Sequence, residues 1–269
     1  MDQQSVGTAF GLTVGAGLAT GIGSTLAFVT KRTNTAYLSV SLGFSAGVMI
    51  YVSFVDILPK GQASLAADLG RTAGTWGATA AFFAGMALVA LVDRLVPAYE
   101  NPHEPHRVED LSLVGAEREA KLVRMGMLSA IAIAVHNFPE GLAVFASALE
   151  NPQVGATIAV AISLHNIPEG IAVSVPVYYA TGSRRKAFAF SFLSGLAEPA
   201  GALVGYVFLL RYLGPALRGA IFAAVAGIMV FISLDELLPT AREYGQHHLA
   251  VYGMLAGMGV MALSLLLLM

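Results

Sequence analysis

Apolar residues follow one another along this chain in eight long runs, which short polar stretches separate. The runs cover about residues 6–29, 36–58, 74–96, 125–149, 154–180, 187–210, 215–239 and 248–268. A helix that crosses a membrane needs about 20 mainly apolar residues, and the runs lack the period-2 alternation of a barrel strand. The pattern therefore predicts an all-α membrane protein with eight transmembrane helices, in a single transmembrane domain over residues 1–269.

The amino-acid composition indicates a membrane protein. Hydrophobic residues make up 56% of it and charged residues 12%, whereas a soluble domain carries about 25% charged residues. The net charge of −2 gives no basic surface for nucleic acid, and the lack of cysteine excludes thiolate metal sites. We expect a multi-pass protein of the plasma membrane, the inner membrane in a bacterium, with lipid as its surroundings.

The distribution of lysine and arginine between the loops predicts the orientation of the chain in the membrane. With eight spans, the loops on one side carry eleven of these residues and the loops on the other side carry four. Loops rich in lysine and arginine stay in the cytoplasm. Both termini are therefore predicted to lie outside, and a flexible loop at about 97–124 is predicted to be cytoplasmic.

Two segments far apart in the chain repeat each other. "AGVMIYVSFVDILP" (46–59) aligns without gaps with "AGIMVFISLDELLP" (226–239), which places Asp56 on Glu236. The first segment belongs to the second predicted helix and the other to the seventh, and these helices cross the membrane in opposite directions. The repeat predicts an inverted architecture in which helices 1–3 match helices 6–8 around helices 4 and 5, a common plan for secondary transporters.

A second repeat places histidine, asparagine and glutamate inside two of the apolar runs. "HNFPEG" (136–141) lies in the fourth run and "HNIPEG" (165–170) in the fifth. The histidine and the glutamate of each motif are four residues apart and therefore share one helix face. Counted at about 1.5 Å per residue from the turn near Asn151, both motifs lie close to mid-membrane. Pro139 and Pro168 each remove a backbone donor, so we expect a kink at each motif.

Charge favours a cation site at this depth. Glu140, Glu169 and Glu198 all lie in apolar runs, and residues 125–183 contain no lysine or arginine. A charged carboxylate at the bilayer centre costs at least about 2.5–3.5 kcal/mol, which a bound cation would offset. Imidazole with carboxylate suits divalent transition metals. The alternative is structural, with Asn137 capping a restarted helix and Glu140 bonding back to it.

The predicted site is shared between helices. One four-ligand cluster contains His136, Glu140, His165 and Glu169. A second metal position would be formed by Asn137, Asn166 and Glu198, with Glu140 and Glu169 as bridging ligands. Asp56, Asp235 and Glu236 are candidates for guiding ions at the helix ends, or are acids simply in contact with water. "PHEPH" (102–106) and His247–His248 are weaker candidates for catching released metal.

These motifs carry a family likeness. With "HNFPEG", "HNIPEG" and the "EP" of "GLAEPAG", the chain resembles the ZIP (Zrt/Irt-like) family, and within it the bacterial zinc-uptake branch, over essentially its whole length. The resemblance implies uptake of zinc and related divalent metals into the cytoplasm through a binuclear site. It assigns the first metal to His136, Glu140, His165 and Glu169, and the second to Asn137, Asn166, Glu198 and the two bridging glutamates.

The sequence thus predicts a transporter of divalent metal ions, with zinc and iron expected as cargo and manganese, cobalt and cadmium as further candidates. No resident cofactor is expected. An intramembrane metal-dependent enzyme is the alternative, but the chain lacks the H-E-x-x-H of zinc proteases, and its apolar runs lack the E-x-x-H of di-iron proteins. Carrier and selective channel both remain open, as does assembly into a homodimer.

Overall fold

A computed structural model describes residues 3–29, 35–95, 116–209, 214–244 and 247–267, all of them in helices or short turns and none in a strand. Eight helices follow one another in this part of the chain. They are α1 (Gln3–Val29), α2 (Thr35–Val52, Ser53–Ile57 and Leu58–Leu69), α3 (Arg71–Leu95), α4 (Ala116–Glu150), α5 (Pro152–Thr181), α6 (Arg184–Gly195, Ala197–Val204 and Gly205–Leu209), α7 (Pro215–Ile232, Ser233–Leu237 and Leu238–Tyr244) and α8 (His247–Leu267).

Six of these helices are long and apolar enough to cross a bilayer. They are α1, α2, α3, α6, α7 and α8, with spans of 20 to 31 residues. The prediction of an all-α membrane protein is thereby confirmed. Within the described residues, α4 and α5 do not join the six, so the predicted count of eight spans stays a prediction, as do the positions of the termini.

Helix boundaries differ from the sequence-based ones in two places. α2 continues to Leu69, well past the predicted end near residue 58, because its last turns are amphipathic rather than wholly apolar. α4 begins at Ala116, inside the predicted loop of about 97–124; residues 97–115 lie outside the described part. The charged sequence "AEREAKLVR" at its start is rich in strong helix formers.

The segments that repeat each other in sequence also share a local distortion. Ser53–Ile57 in α2 and Ser233–Leu237 in α7 are both π-helical. In each case the residue before the proline, Leu58 or Leu238, donates its N–H to the carbonyl five residues back. Pro59 and Pro239 follow immediately. Because a proline ring clashes with the carbonyl four residues earlier, a turn widened by one residue makes room for it.

Contacts between α2 and α7 give their relative direction. Gly61 lies against Ala223, whereas Ser64 donates a hydrogen bond of 2.8 Å to the carbonyl of Pro215. Residues later in α2 thus contact residues earlier in α7. The two helices therefore run antiparallel.

Glycines bring the helices together in two groups. In the first, a Cβ at Gly43 or Gly47 of α2 would overlap a backbone carbonyl of α8, and one at Gly85 of α3 would overlap a carbonyl of α7. In the second group, which contains α1, α4, α5 and α6, the close approaches occur around the HN-x-PEG motifs. Small residues at such positions let membrane helices approach backbone to backbone.

Candidate metal-binding site

The glycine that ends each HN-x-PEG motif is the point where its helix touches a neighbour. A Cβ on Gly141 of α4 would overlap the carbonyl oxygen of Glu198 on α6, and one on Gly201 of α6 would overlap that of Phe138. No larger residue fits at either position without moving backbone. The backbone of the first motif is therefore packed directly against that of Glu198.

The second motif makes the same contact with α1. A Cβ on Gly170 of α5 would overlap the carbonyl oxygen of Thr20, and one on Gly23 of α1 would overlap that of Ile167. Both pairs of contacts have the same spacing: the partner glycine lies three residues after the carbonyl that the motif glycine touches. The α1–α5 contact is thus a close copy of the α4–α6 contact.

Five of the seven predicted site residues have described side chains, and all five are buried. Asn137, Glu140, Asn166 and Glu198 are 0% exposed and Glu169 is 2% exposed. They are Asn137 and Glu140 on α4, Asn166 and Glu169 on α5, and Glu198 on α6. Three carboxylates removed from solvent in one helix group are costly to ionise unless a cation binds among them, which favours a cation site.

Asn166 connects three helices. Its Nδ2 donates to the carbonyl oxygen of Ala16 on α1 over 2.9 Å and also to Oε1 of Glu198 on α6. This leaves Oδ1 of Asn166 without a hydrogen-bond partner among the described residues. An amide oxygen presented in this way is a suitable ligand for a divalent cation.

Asn137 makes the matching contact on the other side. Its Nδ2 donates to the carbonyl oxygen of Ser194 on α6 over 3.3 Å. Its Oδ1, like that of Asn166, has no hydrogen-bond partner in the described part of the chain. The two asparagines therefore use their nitrogen for helix packing and keep their oxygen available, which the capping-box alternative does not require of them.

The two predicted histidines cannot be placed. His136 and His165 lie on α4 and α5, but their side chains are outside the described part of the structure. Among the side chains that are described, no three histidines, aspartates or glutamates lie close enough to share one metal ion. The glutamates alone therefore do not make a complete site, and its completion depends on the asparagine and histidine positions.

The helical hydrogen-bond pattern of α6 has a local break beside Glu198, although Leu196 keeps helical dihedral angles. Leu196 separates two helical segments, and Glu198 lies in the first turn of the second one, Ala197–Val204. Pro199 lacks the N–H that would reach the carbonyl of Gly195, which explains the break. Exposed N–H groups at a helix start favour a nearby carboxylate. The kinks expected at Pro139 and Pro168 stay a prediction, since α4 and α5 each run through their proline as one α-helix.

The three acids that the sequence placed at helix ends lie inside helices, because α2 continues to Leu69 and α7 to Tyr244, and they differ from one another. Asp56 lies in the π-helical part of α2, and its Oδ2 is 3.0 Å from Nζ of Lys60, with 14% of the aspartate side chain exposed. Asp235 is exposed and Glu236 is half-buried in α7. Asp56 is thus held in an ion pair one helical turn away, which the sequence reading did not foresee. The 102–106 segment and the side chain of His247 lie outside the described part, while His248 is exposed.

Comparison with known proteins agrees with this picture. A family model described as ZIP Zinc transporter matches residues 95–265. A protein of Nitratidesulfovibrio vulgaris named "Zinc transporter ZupT" is 58% identical, with 99% of each chain covered. Proteins with the same name from Streptococcus mutans and Clostridium perfringens are 59% and 56% identical, with at least 95% of each chain covered.

Proposed function

The chain belongs to the ZIP zinc transporter family, and on that premise we propose that its buried glutamates and asparagines form the site through which divalent metal ions pass into the cytoplasm. The protein is a multi-pass transporter of divalent metal ions in the plasma membrane and not an enzyme. The alternative of an intramembrane metal-dependent enzyme is therefore discarded.

One observation carries the site assignment. The carboxylate of Glu198, the amide of Asn166 and the backbone of α1 are joined by hydrogen bonds at the level of the second motif. The carboxylate and the free amide oxygen are hard ligands held in a fixed arrangement inside the protein. A divalent cation that binds there offsets the cost of burying the carboxylates.

The proposed ligands divide between two metal positions. His136, Glu140, His165 and Glu169 would hold the first ion, and Asn137, Asn166 and Glu198 the second, with Glu140 and Glu169 bridging. Zinc is the first expected cargo, since relatives with at least 56% identity carry it in their names. Iron, manganese, cobalt and cadmium are further proposed cargoes because the ligands combine imidazole with oxygen.

The similarity between the two halves of the chain suggests how the site could be exposed to each side of the membrane. We infer an inverted repeat in which α1–α3 correspond to α6–α8 around α4 and α5. Support comes from the paired π-helical turns, the antiparallel direction of α2 and α7, and the equivalent contacts of Gly141 and Gly170. Such repeats place the site near mid-membrane and allow it to open to either side in turn. Eight spans with both termini outside complete this proposal.

Uptake into sealed liposomes that contain only this protein tests the function. Zinc, iron and manganese are supplied outside, with and without a pH gradient, and internal metal is measured with a trapped indicator. We expect zinc to enter at a saturable rate above that of protein-free liposomes. A rate equal to the protein-free control for every ion would contradict the proposal.

A further inference from the structure

Helix α1 carries a sequence that matches the one around Glu198. "GLATGIG" (17–23) and "GLAEPAG" (195–201) share glycine, leucine and alanine at the first three positions and glycine at the last. Gly170 touches the carbonyl of Thr20 as Gly141 touches that of Glu198. Asn166 donates to Ala16, four residues before Thr20, as Asn137 donates to Ser194, four residues before Glu198. Thr20 therefore occupies in α1 the position that Glu198 occupies in α6.

The hydroxyl of Thr20 is not used for its own helix. Seven other threonines donate to the carbonyl four residues back, namely Thr8, Thr13, Thr25, Thr75, Thr79, Thr157 and Thr181. For Thr20 that carbonyl belongs to Ala16, which accepts from Asn166 instead. Thr20 is 0% exposed, and its Oγ1 has no hydrogen-bond partner among the described residues. A buried hydroxyl left in this way costs free energy unless something binds it.

A second unsatisfied oxygen borders the same stretch of α6. Oγ1 of Thr20 lies 2.9 Å from the place where a Cβ on Gly195 would be. Asn137 donates to the carbonyl of Ser194, the preceding residue, and its Oδ1 has no partner in the described part. The hydroxyl of Thr20 therefore lies beside Gly195 and the amide of Asn137 beside Ser194, two adjacent residues of α6 that come shortly before Pro199. On the equivalent side, the longer Glu198 reaches Asn166 directly.

We propose that Thr20 is a further metal-binding residue, whose hydroxyl joins Oδ1 of Asn137 in an uncharged oxygen position for the hydrated divalent cation, opposite the charged Asn166–Glu198 pair. This inference rests on the proposed function and deepens it. The two halves of the site then differ in charge: a carboxylate holds the ion on one side, and neutral oxygens contact the ion or its water on the other. The neutral side binds more weakly and so favours release, which transport requires.

Two variants at position 20 and one control at position 13 test the proposal by zinc uptake into liposomes. Thr20→Val has the same shape and removes only the hydroxyl, and Thr20→Ser keeps it. Thr13→Val is the matched control, because Thr13 is also 0% exposed on α1 but donates over 2.9 Å to Ala9. We expect Thr20→Val to raise the half-saturating zinc concentration by about fivefold, the effect of losing one hydrogen bond. Thr13→Val and Thr20→Ser should stay within about twofold of wild type.

Equal half-saturating concentrations for Thr20→Val and Thr13→Val would overturn the assignment of Thr20 while leaving the proposed function intact. Absence of zinc uptake by the wild-type protein would instead contradict the proposed function, and this inference with it. If Thr20→Val does not yield folded protein, Thr20→Ala is compared with Thr13→Ala in the same assay, and the same two outcomes apply.

Discussion

Asn166 on α5 donates a hydrogen bond to the carboxylate of Glu198 on α6, and the same nitrogen also reaches the backbone of α1. This amide therefore sets the position of a buried carboxylate relative to two other helices. Its own oxygen remains available to a ligand. The packing of the helices therefore fixes the orientation of Glu198, which we propose as a metal ligand.

Removing the amide of Asn166 should loosen Glu198 without removing its charge. We expect Asn166→Ala to slow zinc uptake by about tenfold, the effect of losing a hydrogen bond to a charged group, but not to abolish it. Asn166→Asp keeps an oxygen ligand and adds a charge, so it should lower the half-saturating zinc concentration. Initial rates over a range of zinc concentrations measure both effects. An Asn166→Ala rate equal to wild type would contradict the role given to this amide.

The motif glycines should tolerate no side chain. Gly141→Ala or Gly170→Ala would force a Cβ into a backbone carbonyl of the neighbouring helix, and overpacking of this kind costs about 1–3 kcal/mol. We expect a lower melting temperature in detergent and a loss of zinc uptake. Gly11→Ala and Gly15→Ala on α1 are the controls, since a Cβ there meets nothing within 4 Å. Equal melting temperatures for all four variants would rule out this packing.

The break in α6 should matter more for transport than for stability. Pro199→Ala supplies the N–H that the carbonyl of Gly195 lacks, so the helix can close across Leu196 and move Glu198. We expect a melting temperature equal to or above that of wild type, together with slower zinc uptake. Pro215→Ala, at the start of α7, changes a proline where helices normally accept one, and uptake should be unchanged. Unaltered uptake by Pro199→Ala would argue against a functional break.

The predicted orientation can be tested with single cysteines, because the chain has none of its own. Asp68→Cys lies at the exposed end of α2, which we place outside. It should react in intact cells with a thiol reagent that cannot cross the membrane. His103→Cys, in the segment we place in the cytoplasm, should react only with a permeant reagent. The reverse pattern of labelling would invert the topology.

Much of the fold could be predicted from the sequence because a helix that crosses a membrane requires a long apolar run. Long apolar runs located the helices, and the doubled HN-x-PEG motif led to the family. The extension of α2 to Leu69 was missed because its polar last turns do not resemble a membrane span. The π-helical turns before Pro59 and Pro239 depend on hydrogen-bond register, which residue patterns alone do not specify.

The proposed site could be predicted only in part, because sequence patterns reveal unusual residue types but not hydrogen-bond partners. Charged residues in apolar sequence are conspicuous, so Glu140, Glu169 and Glu198 were found at once. Thr20, which we propose as a further ligand, was not singled out because a threonine in a membrane helix usually bonds to its own backbone, and only the contact of Asn166 with Ala16 distinguishes it. The repeated G-L-A-x-x-x-G sequence was a signal that could have identified it.

The central claim is that the motif glutamates bind the transported ion, and zinc uptake by a double variant tests it most directly. Glu140→Ala/Glu169→Ala removes both proposed bridging ligands, and changing even an indirect partner of a metal costs about 10–100-fold. Folded protein is verified by melting in detergent, and the variant is reconstituted at the same density as wild type. We predict zinc uptake that does not exceed that of protein-free liposomes. Uptake at the wild-type rate would contradict the account and favour a purely structural role for both motifs.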